Sequence, residues 1–342
     1  MFTSVKDART ALAEVFPAPL VETLVSSLQP CFGFEPASGE PTTGGTRIGG
    51  TPDLGPDVTW PIRAVPDNLD AIAARGGFNH QDQIFRDLSQ PRPYEFLLQV
   101  DLAEAAAASG TIAEALPADG RLLFFYDGSS GPWRNDATTC RVIWDRTPRE
   151  ALKPVERPQA LLDMRQQYVE DWNAQIAKYP SLSPYPENKS PYWGPARAMS
   201  LVPRFNLPDF ASLEAQSNPA LLKALEDDEV KEDYQSFFAD YFEGSELMRQ
   251  QLLGSPVPEQ DDPRYDAAAD ALYEGNPPSG DAWRAAFPTI AEKAGDWLLL
   301  MQVSLSDYLQ QRLVEGTVYF VIRRQDLAAR AFDRVLPIYQ QT

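Results

Sequence analysis

Residues Phe96–Glu104 (FLLQVDLAE) form a short apolar run that is interrupted by one glutamine, Gln99, and ends in acidic residues. A second stretch, Leu298–Asp307 (LLLMQVSLSD), repeats this pattern in the other half of the chain, with Gln302 at the matching place. Apolar runs of this length, bounded by turn residues, are typical of buried β-strands. The two stretches therefore predict two equivalent strands.

The similarity between the halves extends over three segments that occur in the same order. In the first half they are Ile48–Asp57 (IGGTPDLGPD), Phe96–Glu104 and Asp119–Asp127 (DGRLLFFYD). In the second half they are Leu252–Asp261 (LLGSPVPEQD), Leu298–Asp307 and Glu315–Arg323 (EGTVYFVIR). The spacing agrees as well, since Gly50 and Gln99 are 49 positions apart and Gly254 and Gln302 are 48 apart. We therefore predict an internally duplicated α+β fold, with antiparallel sheet units around a pseudo-twofold axis and flanking helices.

The 342 residues are predicted to form a single domain with one shared core. Two diverged halves, about 29–150 and 200–335, would be joined by a helical and proline-rich connector at 151–199. One amphipathic helix is predicted in this connector from six apolar residues at helical spacing, namely Leu161, Met164, Tyr168, Trp172, Ile176 and Tyr179.

Two segments are predicted to be irregular. Residues 180–195 contain five prolines and include Tyr192 and Trp193, which would either bind a partner or press onto the sheet as a strap. The other segment surrounds His80 in the polar, glycine-led sequence GGFNHQDQ, which is typical of a loop.

The chain is strongly acidic, with 49 Asp and Glu against 30 Lys and Arg, a net charge of −19 and a pI near 4.5. Such a field repels phosphates and anionic headgroups, so nucleic acid and membrane surfaces are poor candidate partners. It favours a basic protein instead. No signal peptide or membrane-spanning stretch is visible, and the composition is that of an ordinary globular protein, so we expect a cytoplasmic location.

Most of the negative charge lies between Asp209 and Asp281, where 18 acidic and 4 basic residues occur. The densest part is EDDEVKED, and its acidic residues are the candidate partner-binding face: Glu226, Asp227, Asp228, Glu229, Glu232 and Asp233. Two interpretations stay open. The region is either a solvated helical face that keeps the protein soluble, or a docking surface for a cationic protein.

Several of these motifs together resemble the bacterial YwqG-like family. They are GGTPDLGPDVTWP, FLLQVDLAE, LPADGRLLFFYD, VPRFNLPD, LLGSPVP, LLLMQVSLSD and EGTVYFVIRRQDLAARAFDRV. The resemblance covers roughly 29–335, is weakest at 212–251, and departs from the family at Glu315-Gly316, where the acid comes first. It implies an α+β fold with duplicated antiparallel sheet elements and no established catalytic residue. Some members occur in toxin-immunity settings.

Sequence signatures of catalysis are scarce. The chain has two cysteines, 109 positions apart, and one histidine, so neither a zinc cluster nor a disulfide framework is expected. It lacks the G-x-G-x-x-G, Walker and G-x-S-x-G motifs, and its glycine-rich stretch at 44–50 is better explained by turns. We predict no metal, no cofactor and no catalytic residue, although a catalytic carboxylate pair remains open because 49 acids provide many.

Gln99 and Gln302 each place a neutral amide inside an apolar strand, where it must be hydrogen-bonded. One interpretation is structural: the amides satisfy backbone groups where the copies meet. The other is a candidate ligand cleft between the copies that contains Gln99, Gln302 and Trp60 as an apolar wall.

These observations favour a non-enzymatic interaction role, most concretely the binding and neutralisation of a cationic partner such as a bacterial toxin. The alternative is a small-molecule-binding or hydrolytic protein that uses a cleft between the two repeats. The oligomeric state is left open.

Overall fold

The computed structural model describes residues 1–75, 77–133, 136–181, 194–243, 250–305, 308 and 316–341. The strands are Gln29–Pro36 (β1), Arg47–Ile48 (β2), Asp53–Leu54 (β3), Ile62–Arg63 (β4), Arg92–Pro93 (β5), Glu95–Asp101 (β6), Arg121–Tyr126 (β7), Cys140–Asp145 (β8), Lys153–Pro154 (β9), Arg197–Asn206 (β10), Gln251–Leu252 (β11), Trp297–Ser304 (β12), Thr317–Arg323 (β13) and Leu336–Gln340 (β14). The α-helices are Val5–Leu12 (α1), Ala18–Ser27 (α2), Leu69–Arg75 (α3), Gly77–Leu88 (α4), Leu102–Ala108 (α5), Gly110–Ala113 (α6), Gln159–Lys178 (α7), Leu213–Gln216 (α8), Pro219–Ala224 (α9), Asp228–Glu243 (α10), Pro263–Leu272 (α11), Gly280–Ala294 (α12) and Arg324–Ala328 (α13).

Ten strands form one antiparallel sheet in the order β14-β13-β12-β11-β1-β10-β2-β6-β7-β8. The long strands β1 and β10 lie at its centre and pair from Gln29 opposite Asn206 to Pro36 opposite Met199. On its other edge β1 pairs with β11, while β10 pairs with β2, so each half of the chain contributes a central strand that contacts the other half. The prediction of an α+β fold with an antiparallel sheet is confirmed.

The sheet curls until it is nearly closed. Phe124 of β7 and Phe320 of β13 are near opposite ends of the strand order, yet their rings meet edge to face with centroids 5.2 Å apart. Near the two edge strands, the Cys140 thiol donates to the carbonyl oxygen of Val335, at 3.5 Å. The curled sheet encloses a large apolar core to which strands of both halves contribute.

The outer face of the sheet is covered as well. On β7, Leu122 and Phe124 face the inner core, whereas Leu123 and Phe125 face a second cluster that includes Leu54. On β12 and β13, the outer side chains pack against α11 and α12. Because both faces are buried, these strands are continuous apolar runs and do not alternate with polar residues.

The helix α10 packs its aromatic side chains Tyr234, Phe237 and Tyr241 against α1, α2 and the N-terminus. Tyr241 lies over Phe2 with ring centroids 4.2 Å apart, and Phe237 meets Phe16 at 5.7 Å. Tyr234 is buried and donates a hydrogen bond from its hydroxyl to the carbonyl oxygen of Pro208, at 2.5 Å. Tyr234 is therefore part of the core, and Phe237 and Tyr241 are half-buried against the same cluster.

The structure differs from two predictions about the connecting segments. The backbone of His80 lies in α4 and not in the predicted loop. Ile84 and Leu88 of that helix pack with Ile72 of α3, and this packing stabilises a helix although the sequence GGFNHQDQ begins with two glycines. The helix predicted in the connector is present as α7, but of its six stripe residues only Leu161 is buried.

Residues 182–193, with Tyr192 and Trp193, lie outside the described residues. Within the ranges that are described, none of the helices has both the length and the apolar character needed to cross a bilayer.

Candidate functional site

Gln99 lies at the centre of a buried polar network on the outer face of β6. Its Oε1 accepts hydrogen bonds from the Asp53 backbone N–H at 3.1 Å and from the Arg47 guanidinium at 3.3 Å. Its Nε2 donates to the Gly45 carbonyl at 2.9 Å and to Asp53 Oδ2 at 3.0 Å. Arg47 and Asp53 are buried and form an ion pair of 2.8 Å. Both polar atoms of the Gln99 amide are therefore fully used in holding residues 45–53 against the sheet.

The glycine-rich stretch beside this network is a tight turn. Gly49 and Gly50 have φ angles of 73° and 74°, and a Cβ on Gly49 would come within 2.2 Å of the Pro195 carbonyl oxygen. Their N–H groups donate to the carbonyls of Leu97, at 2.7 Å, and Gly194, at 3.0 Å. These amides are engaged within the fold, which agrees with the turn role and not with a phosphate cradle.

Gln302 occupies the matching place on β12 and is also fully buried. Its Oε1 accepts a hydrogen bond from the Val257 backbone N–H at 2.9 Å, so it too holds a loop against the outer face of the sheet. Its Nε2 makes no hydrogen bond within the described part of the chain. Opposite it on β11, Gln251 donates from Nε2 to the carbonyls of Leu253, at 3.2 Å, and Ser255, at 2.6 Å.

The structure places Trp60 in the apolar cluster on the outer face of β6 and β7, and Gln99 and Gln302 in two separate polar networks. Trp60 is half-buried, donates its indole N–H to the Tyr94 carbonyl at 2.7 Å and meets Phe125 edge to face at 5.7 Å. Between the strands of Gln99 and Gln302 lie four others, β11, β1, β10 and β2. The two glutamines thus support two separate loops.

The six residues of the predicted acidic face are all exposed. Glu226 and Asp227 precede α10, and the other four lie in its first two turns. Asp227 accepts a hydrogen bond on Oδ1 from the Glu229 backbone N–H at 3.0 Å, which satisfies one of the free donors at the helix start. Acidic side chains there also interact favourably with the helix dipole. Among the residues that the structure describes, none of the six forms an ion pair.

Other acidic residues of the 209–281 region are used inside the protein. Arg264 is 1% exposed and forms ion pairs with two carboxylates. Its guanidinium nitrogens donate hydrogen bonds of 2.6 Å to oxygens of both Glu214 and Asp262. Burial raises the pKa of Asp209 and of Asp266 to about 6. The sequence did not identify these structural roles, because the partner Arg264 lies 50 positions from Glu214. The exposed negative charge is therefore more concentrated on α10 than the sequence count suggested.

A desolvated carboxyl group that the sequence analysis missed lies at the start of β6, on the half-buried residue Glu95. Glu95 accepts a hydrogen bond on Oε2 from the Gly128 N–H at 3.2 Å. Burial, reinforced by the charge of nearby Asp127, raises the pKa of Glu95 to about 8. Asp127 itself is paired with the buried Arg63 at 2.6 Å and accepts a hydrogen bond from the Ser130 hydroxyl at 2.6 Å. The sequence feature that could have identified Glu95 is the presence of a charged residue at the edge of the apolar run YEFLL.

The described residues contain no group of three or more His, Cys, Asp or Glu side chains arranged to hold a metal ion. Cys31 and Cys140 are buried free thiols, and burial raises the pKa of both, that of Cys31 to about 12. High thiol pKa values are typical of structural and not of reactive cysteines.

Comparison with known proteins gives a family but no function. No curated protein matches the chain. The model of a domain of unknown function, DUF1963, matches residues 46–340, which cover the sheet from β2 to β14. Since this match extends over most of the sequence, the chain belongs to the DUF1963 family.

Proposed function

We propose that this protein binds a cationic partner protein through the exposed acidic face formed by Glu226, Asp227, Asp228, Glu229, Glu232 and Asp233. The observation that carries the proposal is the exposure of all six carboxylates on one helix start, without an ion-pair partner among the described residues. Complementary charge accelerates the encounter with a basic protein and disfavours acidic competitors.

The acidic face rests on a fixed support. The opposite side of α10 packs Tyr234, Phe237 and Tyr241 against α1, α2 and Phe2. The one base within the acidic run, Lys231, lies with its ammonium 5.6 Å from the centre of the Phe210 ring. A rigid support reduces the entropy lost when a surface binds its partner.

We further propose that the two halves of the sheet are diverged copies, and that α10 belongs to an insertion in the second. Equivalent backbone hydrogen bonds in the two halves support the duplication. The Gly49 N–H donates to the Leu97 carbonyl as the Leu253 N–H donates to the Leu300 carbonyl. The Leu102 N–H donates to the Gly120 carbonyl as the Leu305 N–H donates to the Gly316 carbonyl. In the first half, β1 connects to β2 through residues 37–46. In the second half, the corresponding connection from β10 to β11 runs from 207 to 250 and contains α8, α9 and α10. An added segment on one copy is a natural place for a partner-binding surface.

The resemblance to YwqG-like proteins, some of which occur in toxin-immunity settings, supports a more specific form of the proposal. The partner would be a basic toxin domain, and binding would block access to its site. The two buried free thiols, Cys31 and Cys140, agree with a reducing compartment, so we place the interaction in the cytoplasm. The alternative of a ligand cleft between the halves has less support, because apolar side chains such as Phe124 and Phe320 occupy the interior between them.

The proposal is tested by capturing partners from the host lysate with tagged protein, at low and at raised salt, with identification by mass spectrometry. We expect one stoichiometric basic protein whose capture weakens as salt screens the field. A variant with five acids neutralised is expected to lose most of this capture: Glu226→Gln, Asp228→Asn, Glu229→Gln, Glu232→Gln and Asp233→Asn. Asp227 is kept because it caps α10.

The matched control instead removes five exposed acids from residues 1–150, so that the net charge changes equally: Glu14→Gln, Glu40→Gln, Asp57→Asn, Glu114→Gln and Asp119→Asn. Capture by this control should stay close to that of the unmodified protein. Equal losses in both variants would show that only overall charge matters. Capture that is insensitive to salt and to the five α10 substitutions would reject the acidic face as the binding surface.

A further inference from the structure

A cleft of about 400 Å³ lies where α11 and α12 end beside the start of β12 and the end of β13. It is separate from the acidic face of α10 and from the two glutamine networks. Its volume falls within the range of about 300–1,000 Å³ that is usual for sites that bind small organic molecules.

Part of the cleft surface is apolar. The indole of Trp297 forms a largely buried wall, with only 5% of the residue exposed. Ala268 and Leu272 of α11 line another part, and Leu272 is 39% exposed. An open leucine beside a buried indole provides a surface on which a ligand would bury apolar area.

Arg323 supplies an unused hydrogen-bonding group in this cleft. It lies opposite Trp297 in the β12–β13 register, and its guanidinium carbon is 5.1 Å from the centre of the indole ring. Within the described ranges its side chain makes neither an ion pair nor a hydrogen bond. By contrast, the buried Arg63 and Arg264 are each paired with carboxylates. A guanidinium presents its donors as a rigid planar fork, which matches the geometry of a carboxylate.

The other charged groups around the cleft are already largely compensated. The ammonium of Lys293 is 3.1 Å from Glu292, and Arg324 donates from Nε to the Gly295 carbonyl at 3.0 Å. These two cations also offset Asp296 and the partial negative charge where α11 and α12 end. The remaining positive charge is that of Arg323, which suits one monovalent anion and not a multiply charged phosphate.

We propose that this cleft binds a planar monovalent organic carboxylate with an apolar body. The carboxylate would accept two parallel hydrogen bonds from Arg323, and the apolar body would lie between Trp297 and Leu272. Carboxylates match the fork of a guanidinium bidentately, and such charge-assisted bonds are stronger than neutral ones. This inference is independent of the proposed protein partner.

The test uses the whole protein and 2-naphthoate as the probe, with 2-naphthamide as a neutral probe of the same shape. Binding is followed by calorimetry and by the indole N–H resonance of Trp297 in a spectrum assigned with a Trp297→Phe variant. We expect 2-naphthoate to bind and to shift this resonance, and 2-naphthamide to bind about tenfold more weakly or not at all.

Arg323→Gln should weaken 2-naphthoate binding by about tenfold or more. The matched control is Arg146→Gln, because Arg146 is stacked on Trp144 at 5.0 Å in the same manner but does not line the cleft. A second variant, Leu272→Glu, adds a negative charge at an exposed position and should also weaken binding. Absence of 2-naphthoate binding, equal binding of the amide, or undiminished binding by folded Arg323→Gln would each overturn the proposal.

Discussion

Replacing Glu95 by glutamine is expected to remove a specific part of the pH dependence of folding stability. The Glu95 carboxyl has its pKa raised to about 8 in the folded protein, first by burial and then by the charge of Asp127. In the unfolded chain the pKa of a glutamate is about 4.3. Between these two values the folded state holds a proton that the unfolded state has lost, so stability falls as pH rises.

The magnitude follows from the linkage between proton binding and folding. Within this window one extra bound proton changes the free energy of unfolding by about 1.4 kcal/mol per pH unit. The slope declines as pH approaches the folded pKa, so the loss between about pH 6 and about pH 8 is about 2 kcal/mol. Glutamine does not titrate, and its Oε1 still accepts the hydrogen bond that Gly128 donates to Glu95. Glu95→Gln should therefore lose about 2 kcal/mol less than the unmodified protein over this interval.

Urea unfolding at several pH values measures this difference directly, provided that the m-values agree between the two proteins. Asp209 and Asp266, whose pKa values are raised to about 6, also titrate in the lower part of this interval, but they contribute equally in both proteins and cancel in the difference. Glu114→Gln, at an exposed position, is the matched control and should keep the slope of the unmodified protein. If stability falls equally with pH in Glu95→Gln and in the unmodified protein, the reasoning about Glu95 is wrong.

Three further predictions concern the core. In urea unfolding, Gln99→Leu should destabilise the protein by about 3 kcal/mol and Gln302→Leu by about 1 kcal/mol, since Gln99 makes four hydrogen bonds and Gln302 one. A larger loss of stability in Gln302→Leu than in Gln99→Leu would contradict these assigned hydrogen bonds. Phe320→Ala should cost about 3–5 kcal/mol because it opens a cavity at the centre of the curled sheet. Phe287→Ala, at a residue that is 37% exposed, should cost far less, and equal losses would refute this account of the core. Both cysteines should resist alkylation by iodoacetamide until the protein unfolds, because burial raises the pKa of each thiol; rapid labelling of the native protein would count against this.

The main strands could be predicted from the sequence because both of their faces are buried. The two equivalent strands predicted within Phe96–Glu104 and Leu298–Asp307 are present as β6, Glu95–Asp101, and β12, Trp297–Ser304. Their runs of apolar residues carry the signal locally. The partners of Gln99 could not be predicted, because Arg47 and Asp53 lie 52 and 46 positions away and reach it only through the sheet.

The same limit affected the interpretation of charge. A count of acids does not distinguish Glu214, which pairs with the buried Arg264, from Glu226, which is exposed. Side-chain environment depends on tertiary contacts between distant residues, and this sequence has no local pattern that reports them. The six-residue acidic face was predictable because a dense run of charge is seldom buried.

The exchange of central strands between the halves has a consequence for biosynthesis. During translation β2 emerges early, but one of its two neighbours, β10, is completed only at Asn206. Likewise β1 can pair only after both of its neighbours, β10 and β11, have been synthesised. Pairings between such distant segments raise the contact order and slow folding, and the unpaired strand edges are prone to aggregation in the meantime. We therefore expect the nascent chain to be prone to aggregation until its second half has left the ribosome, and we expect neither half to fold when it is expressed on its own.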